Sequence, residues 1–175
     1  GAASITTSGA ISQTGALVVT GTSSFSSTGT DTNIDLSNAA NNFGGTVTLN
    51  TTGTTSGDVS IDNDTNALTL TGTINGALTV LNGGTIADSA TLRVTGTSSF
   101  TTDATGANIT LSSSDLEGAI TLSTFATSNF TLDNGTQAVI LAGGTVNGAA
   151  SITTSGAISQ TGALAVTGTS SFTST

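Results

Sequence analysis

One stretch of this chain occurs twice, once at each end. Gly1 to Thr28 reads GAASITTSGAISQTGALVVTGTSSFSST, and Gly148 to Thr175 reads GAASITTSGAISQTGALAVTGTSSFTST. Only two positions differ, Val18 against Ala165 and Ser26 against Thr173, and Gly148 stands where a second Gly1 would. A closed globular domain has no physical reason to end in the text with which it began. A stack of repeated units does.

A weaker copy lies between the two. VTGTSSF occurs at 19–25, 94–100 and 166–172, at nearly even intervals. Gly72 to Ala77 (GTINGA) matches Gly144 to Ala149 (GTVNGA), Asn33 to Ser37 matches Asn108 to Ser112, and Gly45 to Leu49 matches Gly118 to Leu122. The chain therefore divides into one repeat unit, 1–147, made of two diverged halves of about 1–72 and 73–147, followed by the start of the next unit at 148–175.

The apolar residues fix the local conformation. Ile34/Leu36, Val47/Leu49, Val59/Ile61, Leu68/Leu70, Leu78/Val80, Leu92/Val94, Ile109/Leu111, Ile120/Leu122 and Phe130/Leu132 are each separated by one polar or small residue. That is period two, the pattern of a strand with one face buried, and the β-branched residues in these runs suit a pleated surface. Asn-Gly at 75–76, 82–83, 134–135 and 147–148, and Ser-Gly at 8–9, 56–57 and 155–156, mark tight corners between strands. No window has the length and periodicity of a helix.

Short strands, tight corners and a long repeat predict an all-β chain wound as a parallel β-helix, a β-solenoid of roughly 20–25 residues per coil. Proline is absent, as a strand with hydrogen-bonded neighbours on both sides requires. Six three-sided coils would average about 24.5 residues over the repeat unit, giving a rod segment about 29 Å long. The regular local spacing of Ile5, Ile11 and Leu17 breaks down after each Phe, which favours an irregular right-handed coil over a hexapeptide helix. Position 18 is Val, Arg (93) and Ala (165) in its three copies, so it is predicted to face solvent, while the flanking Leu and Val face inward. Phe25, Phe100 and Phe172 are predicted to be buried, each ring contributing about 2–3 kcal/mol of transfer free energy.

Units such as AISQTGALVVTGTSSF, NIDLSNAANNFGGTVTL and ALTLTGTINGALTVLNGGTI resemble the β-strand repeats of giant bacterial surface proteins. The whole chain is similar in this respect to filamentous haemagglutinin and to the passenger domains of autotransporter adhesins. The resemblance implies a right-handed parallel β-helix, export across a Gram-negative envelope, and a role in adhesion or in a surface fibre. It carries no catalytic motif onto this sequence.

Composition narrows the function classes. There is no Cys, His, Tyr, Trp, Met or Pro, no Lys, and a single Arg at 93, with a net charge of −9. A chain so poor in cations cannot bind nucleic acid or an anionic membrane through phosphate contacts. No apolar run is long enough to span a bilayer. Without a thiol, imidazole or amine, catalysis would fall to carboxylates alone, and no catalytic or cofactor-binding residues are assigned. No cofactor is expected unless it is calcium. The densest acidic groups are Asp31/Asp35, Asp58/Asp62/Asp64 and Asp115/Glu117. Asp62 and Asp64 form the best candidate for a Ca²⁺ site, since clustered carboxylates, Asn and carbonyls supply hard oxygens. The competing reading of Asp62-Asn63-Asp64 is a polar turn in which the side chains bond their own backbone. Thr-Gly-Thr triplets at 20–22, 71–73, 95–97 and 167–169 raise ice binding as a further, weaker reading. N-x-Ser/Thr triplets begin at Asn50, Asn63, Asn108, Asn129 and Asn134, a number expected by chance in so Thr-rich a chain.

The sequence reading is a non-enzymatic structural segment of a long extracellular or cell-surface solenoid, a stalk or filament scaffold. The alternative is an adhesin face that binds surface glycans or another cell. Expected partners are further copies of the repeat, joined covalently or stacked end to end.

Overall fold

The computed structural model describes residues 1–53 and 57–175; Ser56 of the Ser56-Gly57 corner lies outside the described residues. Strands follow one another with no helix among the described residues. The first coils comprise β1 (Ala3–Thr7), β2 (Ile11–Ser12), β3 (Val18–Val19), β4 (Ser23–Ser27), β5 (Ile34–Leu36), β6 (Asn42–Phe43) and β7 (Val47–Thr51). The middle holds β8 (Val59–Asp62), β9 (Leu68–Ile74), β10 (Leu78–Asn82), β11 (Ile86–Val94), β12 (Ser98–Thr102), β13 (Ile109–Leu111) and β14 (Ser114–Leu116). The last coils contain β15 (Ala119–Ser123), β16 (Phe130–Asp133), β17 (Val139–Val146), β18 (Ala150–Thr154), β19 (Ile158–Gln160), β20 (Leu164–Val166) and β21 (Ser170–Ser174).

The strands alternate between two sheets. One runs β1-β4-β7-β9-β11-β13-β16-β18-β21, with β14 beside β11. The other runs β2-β5-β8-β10-β12-β15-β17-β19, with β20 beside β17, and β3 pairs β6 as a short third face. Registers place each strand parallel to the same strand one coil away: Ala3 faces Ser23, Ser23 faces Val47, and Ile109 faces Phe130. The chain is thus a β-solenoid of about eight turns. Inward residues stack in columns, such as Leu36, Ile61, Val80, Phe100 and Leu122 in one sheet and Leu111, Leu132, Ile152 and Phe172 in the other. All but Phe172 of these are fully buried, so one apolar core runs along the axis.

The coil count corrects the expectation of six three-sided coils. From β1 to its repeat β18 there are seven steps in the first sheet, about 21 residues per coil, and the unit is about 34 Å long at about 4.8 Å per coil. Coils in that sheet are unequal, the step from Leu68 to Ile86 being shorter than the step from Ser23 to Val47, because corners of different length absorb the difference.

An odd number of coils has a geometric consequence. Half a unit is three and a half coils, so matching text in the two halves lies on opposite sheets. VTGTSSF runs into β4 on the first sheet and into β12 on the second; Ile34–Leu36 and Ile109–Leu111 are exchanged in the same way. The half-unit is thus repeated by a half-turn about the long axis. Backbone detail follows the same rule. Gly72 and Gly144 are mates, with φ of +122° and +125°, and a Cβ on either would stand 2.1 Å from Leu49 O or 1.8 Å from Leu122 O. Only glycine allows the next coil so close.

Candidate functional site

The corner that follows β8 carries the acidic candidates. Asp62, at the end of β8, is only 6% exposed, and Asp64 is exposed. The Asp62 Oδ1 accepts the Asp64 N–H at 2.8 Å, and the Asn66 N–H bonds Asn63 O at 3.1 Å. Asp64 takes a positive φ of 54°, which Asp tolerates better than most residues. Its half-unit mate is Gly135 at φ 55°, and there the Asp133 Oδ1 accepts the Gly135 N–H at 3.0 Å. The two halves therefore build one turn from two texts, and the Asp62 carboxylate is part of that turn.

Asp62 and Asp64 line a groove with Ala39, Thr65, Gly83 and Asp103. Burial pushes the Asp62 carboxyl above its ordinary range, backbone N–H groups of Asp64 and Asn63 oppose this, and the Asp103 and Asp64 charges add to it. Among the described residues no group of three or more His, Cys, Asp or Glu side chains is arranged to hold a metal ion.

The other acids are spread over successive coils. The Asp35 Oδ1 accepts the Ser37 N–H at 3.1 Å, and Asp58 Oδ1 the Ala77 N–H at 2.8 Å. Asp31 stands at a corner with φ 54°. Asp115 and Glu117 both pair with Arg93, Asp115 at 3.4 Å from Nε and Glu117 at Nη2. Arg93 faces outward as its variable position implies, and Val18 at the equivalent place is 70% exposed. The ion pair joins one coil to the next. Asp88, which drew no attention in the sequence, anchors a corner: it accepts from the backbone of Ser112 at 2.8 Å and Ser113 at 2.9 Å and from Ser114 Oγ at 2.9 Å. Three of the four Thr-Gly-Thr triplets, 20–22, 95–97 and 167–169, fall at corners between strands and form no flat ladder; 71–73 lies within β9.

Buried asparagines hold the corners together. Asn63, fully buried, donates from Nδ2 to Phe43 O (3.2 Å) and Ala67 O (2.9 Å) and accepts the Phe43 N–H (2.6 Å). Its mate Asn134 repeats the arrangement with Leu116 and Ala138. Of the N-x-Ser/Thr sites, these two are therefore enclosed. One coil earlier, the Asn41 Oδ1 accepts from Gln13 Nε2 at 2.7 Å and from the Leu17 N–H at 2.9 Å, and Asn41 Nδ2 donates to Gln13 Oε1 at 3.0 Å.

The outer coils differ from the rest. Ile5 on β1 and Phe172 on β21 are 44% and 48% exposed. A groove lined by Ile5, Ile11, Leu17, Phe25 and Leu36 opens at one end, and another lined by Leu141, Leu164, Val166 and Phe172 at the other. The expectation of three buried Phe rings is therefore corrected for Phe172: Phe25 and Phe100 are enclosed, but no strand among the described residues covers β21.

Parallel coils, an axial apolar column and corner asparagines that bond the adjoining coil define a β-solenoid repeat protein. The chain belongs to the family described as repeats of unknown function (DUF5649), whose profile matches residues 1–50, 56–123 and 127–175. No curated protein and no solved structure matches it.

Proposed function

We propose that this chain is a structural segment of a long extracellular fibre at a bacterial surface, of the kind formed by filamentous haemagglutinin and autotransporter passengers, serving as stalk or filament scaffold without catalysis. The observation that carries the reading is the repeated text on a parallel coil stack. One apolar core runs along the axis, and residues 148–175 restate residues 1–28 one unit further along it. In a one-dimensional stack each coil is stabilised by its neighbours, so further units extend the rod without any new kind of contact. The partners in this reading are further copies of the repeat, joined covalently. A Cys-free, proline-free chain whose single Arg is engaged with Asp115 and Glu117 suits a passive, acidic rod.

The test is length. Proteins carrying one, two and three copies of the unit 1–147 are compared by small-angle scattering and electron microscopy. Each added unit should lengthen a thin, unbranched particle by about 34 Å at constant cross-section. Compact particles that grow in all directions would defeat the reading. Antibody labelling of intact cells of the source organism tests the surface location.

A further inference from the structure

We infer that Asn129 is a site of N-linked glycosylation, and that the fold admits a sugar there while refusing one at Asn63 and Asn134. All three begin N-x-Thr triplets, as do Asn50 and Asn108. In sequence the five are alike. On the coil they are not.

Asn129 ends the corner between β15 and β16 and is the exposed member of the five. Its Oδ1 accepts the Ala149 N–H of the next coil at 2.7 Å, and a Cβ on Gly148 would collide with that oxygen. The oxygen is therefore the packed end of the amide. Among the described residues the Asn129 Nδ2 makes no hydrogen bond. The other half of the unit shows that the fold asks nothing of that nitrogen. Asp58 stands at the equivalent place, and its Oδ1 accepts the Ala77 N–H at 2.8 Å with no amide nitrogen present. The coil needs an acceptor here, and a substituent on Nδ2 leaves the acceptor intact.

Asn63 and Asn134 are the reverse case. Both are fully buried, and their Nδ2 groups donate to Phe43 O and Ala67 O, and to Leu116 O and Ala138 O. A sugar on either nitrogen would displace a bonded hydrogen and need room that the closed corner lacks. Asn50 and Asn108 are half-buried. Asn50 lies within β7 between Ser26 and Thr73 of the adjoining coils. Asn108 lies one coil before Asn129, and its Oδ1 accepts the Asn129 N–H at 2.8 Å, so sugars on both would crowd at the coil spacing of about 4.8 Å.

A second feature of the corner points to a sugar. Phe125 is half exposed, on a turn closed by the Ser128 N–H bonding Phe125 O at 3.0 Å. Three residues after the matching Leu49 and Leu122, the other half has Thr52 at this place. Phe25, Phe43, Phe100 and Phe130 are all buried. An aromatic ring left in water on the corner that carries the attachment point gives the apolar face of a pyranose a surface to lie on.

The co-substrate is a sugar activated as a glycosyl diphosphate. In the transfer Asn129 Nδ2 forms a bond to the sugar C1 and the C1–O bond to the diphosphate breaks. The diphosphate leaves with that electron pair, and the transferase takes one proton from the nitrogen. Transfer precedes closure of the coil, because in the folded chain β16 is paired on both sides and the Phe130 N–H is bonded to Ala149 O.

The test is site occupancy in native protein. Folded protein from the source organism is purified, then unfolded, digested with elastase and sequenced by electron-transfer mass spectrometry. A glycosyl mass on Asn129 and none on Asn63 or Asn134 is expected. Asn129 without that mass, or a sugar on Asn63 or Asn134, overturns the inference. Unmodified recombinant protein tests the part played by the fold. N129D should leave the urea midpoint unchanged and N129A should lower it. If N129D lowers the midpoint as N129A does, the coil needs the nitrogen and the site is not free for a sugar.

Discussion

The end stretches 1–28 and 148–175 match at all but two positions, yet they differ in nearly everything their neighbours decide. Ile5 is half exposed and its counterpart Ile152 is fully buried; Phe25 is buried and its counterpart Phe172 is half exposed. The backbone is the same in both, since β1 faces β4 in the register in which β18 faces β21. What differs is which side the neighbouring coil lies on: among the described residues β1 pairs only with β4, on one side, and β21 only with β18, on the other. In this molecule burial is conferred by the adjoining coil and cannot be assigned to a residue from its own text, which is the defining property of a one-dimensional stack.

The strongest way to break that comparison is to delete the rings. Phe25→Ala should cost about 3–5 kcal/mol, the range for a buried aromatic, while Phe172→Ala should cost about 1 kcal/mol or less. The aliphatic pair should reverse the order of the ends, with Ile152→Ala costing about 2–5 kcal/mol and Ile5→Ala about 1 kcal/mol. Urea melts of the four variants read this directly. Equal costs for Phe25 and Phe172 would mean that the outer coil is covered in solution.

Polar contacts sharpen the comparison at smaller amplitude. Gln13 exchanges two hydrogen bonds with Asn41, and among the described residues the Gln160 side chain has only its local bond to Gly162. Gln13→Ala should cost about 1 kcal/mol or less, since two hydrogen bonds are lost while the fully buried Asn41 amide keeps the Leu17 N–H, Leu36 O and Asp62 O; Gln160→Ala should leave the urea midpoint unchanged. A smaller effect of opposite sign is expected at the first Ser of VTGTSSF. Among the described residues Ser23 Oγ is buried with no hydrogen-bond partner, as is Ser98 Oγ in the middle copy, whereas Ser170 is exposed. Ser23→Ala should therefore raise stability by about 1 kcal/mol or less, and Ser170→Ala should do nothing. A loss at Ser23 comparable to that at Gln13 would show that the hydroxyl is bonded in solution.

The same dependence on neighbours explains what the sequence made legible. Strand position and facing were readable because they are local: an apolar pair around a polar residue has the same meaning in every coil, and the variation of Val18, Arg93 and Ala165 marked an outward site. The coil number was not, because corners of unequal length hide the average behind coils as short as Leu68 to Ile86 and as long as Ser23 to Val47. The spacing of the three VTGTSSF copies contained the answer, since each interval equals three and a half coils. The partners of Arg93 were hidden for a related reason. Asp115 and Glu117 lie a full coil further along the chain, and only the register of β11 against β14 brings them over the guanidinium. The turn at Asp62-Asn63-Asp64 was legible as a turn. The part played by Asn63 was not, because its bonds to Phe43 cross to the preceding coil.

That turn and its mate at 133–135 extend the comparison from the ends to the two halves, and give the smallest predicted effect. Asp62 accepts the N–H two residues on, as Asp133 does, but Asp62 is enclosed and faces Asp64 and Asp103 across one groove. Burial and those like charges raise its pKa in the folded state. A carboxyl with a raised folded pKa binds protons more tightly folded than unfolded, so it lowers stability as pH rises through its ordinary value of 3.8 toward the folded value. Asp62→Asn keeps an oxygen for the Asp64 N–H and removes the charge. The variant should therefore be more stable than the parent at pH 7, and the advantage should shrink as pH falls below the ordinary carboxylate range, where the parent is protonated in both states. Asp133→Asn, on an exposed mate of the same turn, should show a smaller change. Paired melts at pH 3 and pH 7 separate the cases: a stability gain for Asp62→Asn that is independent of pH would assign the cost at Asp62 to packing in the corner instead of to its charge.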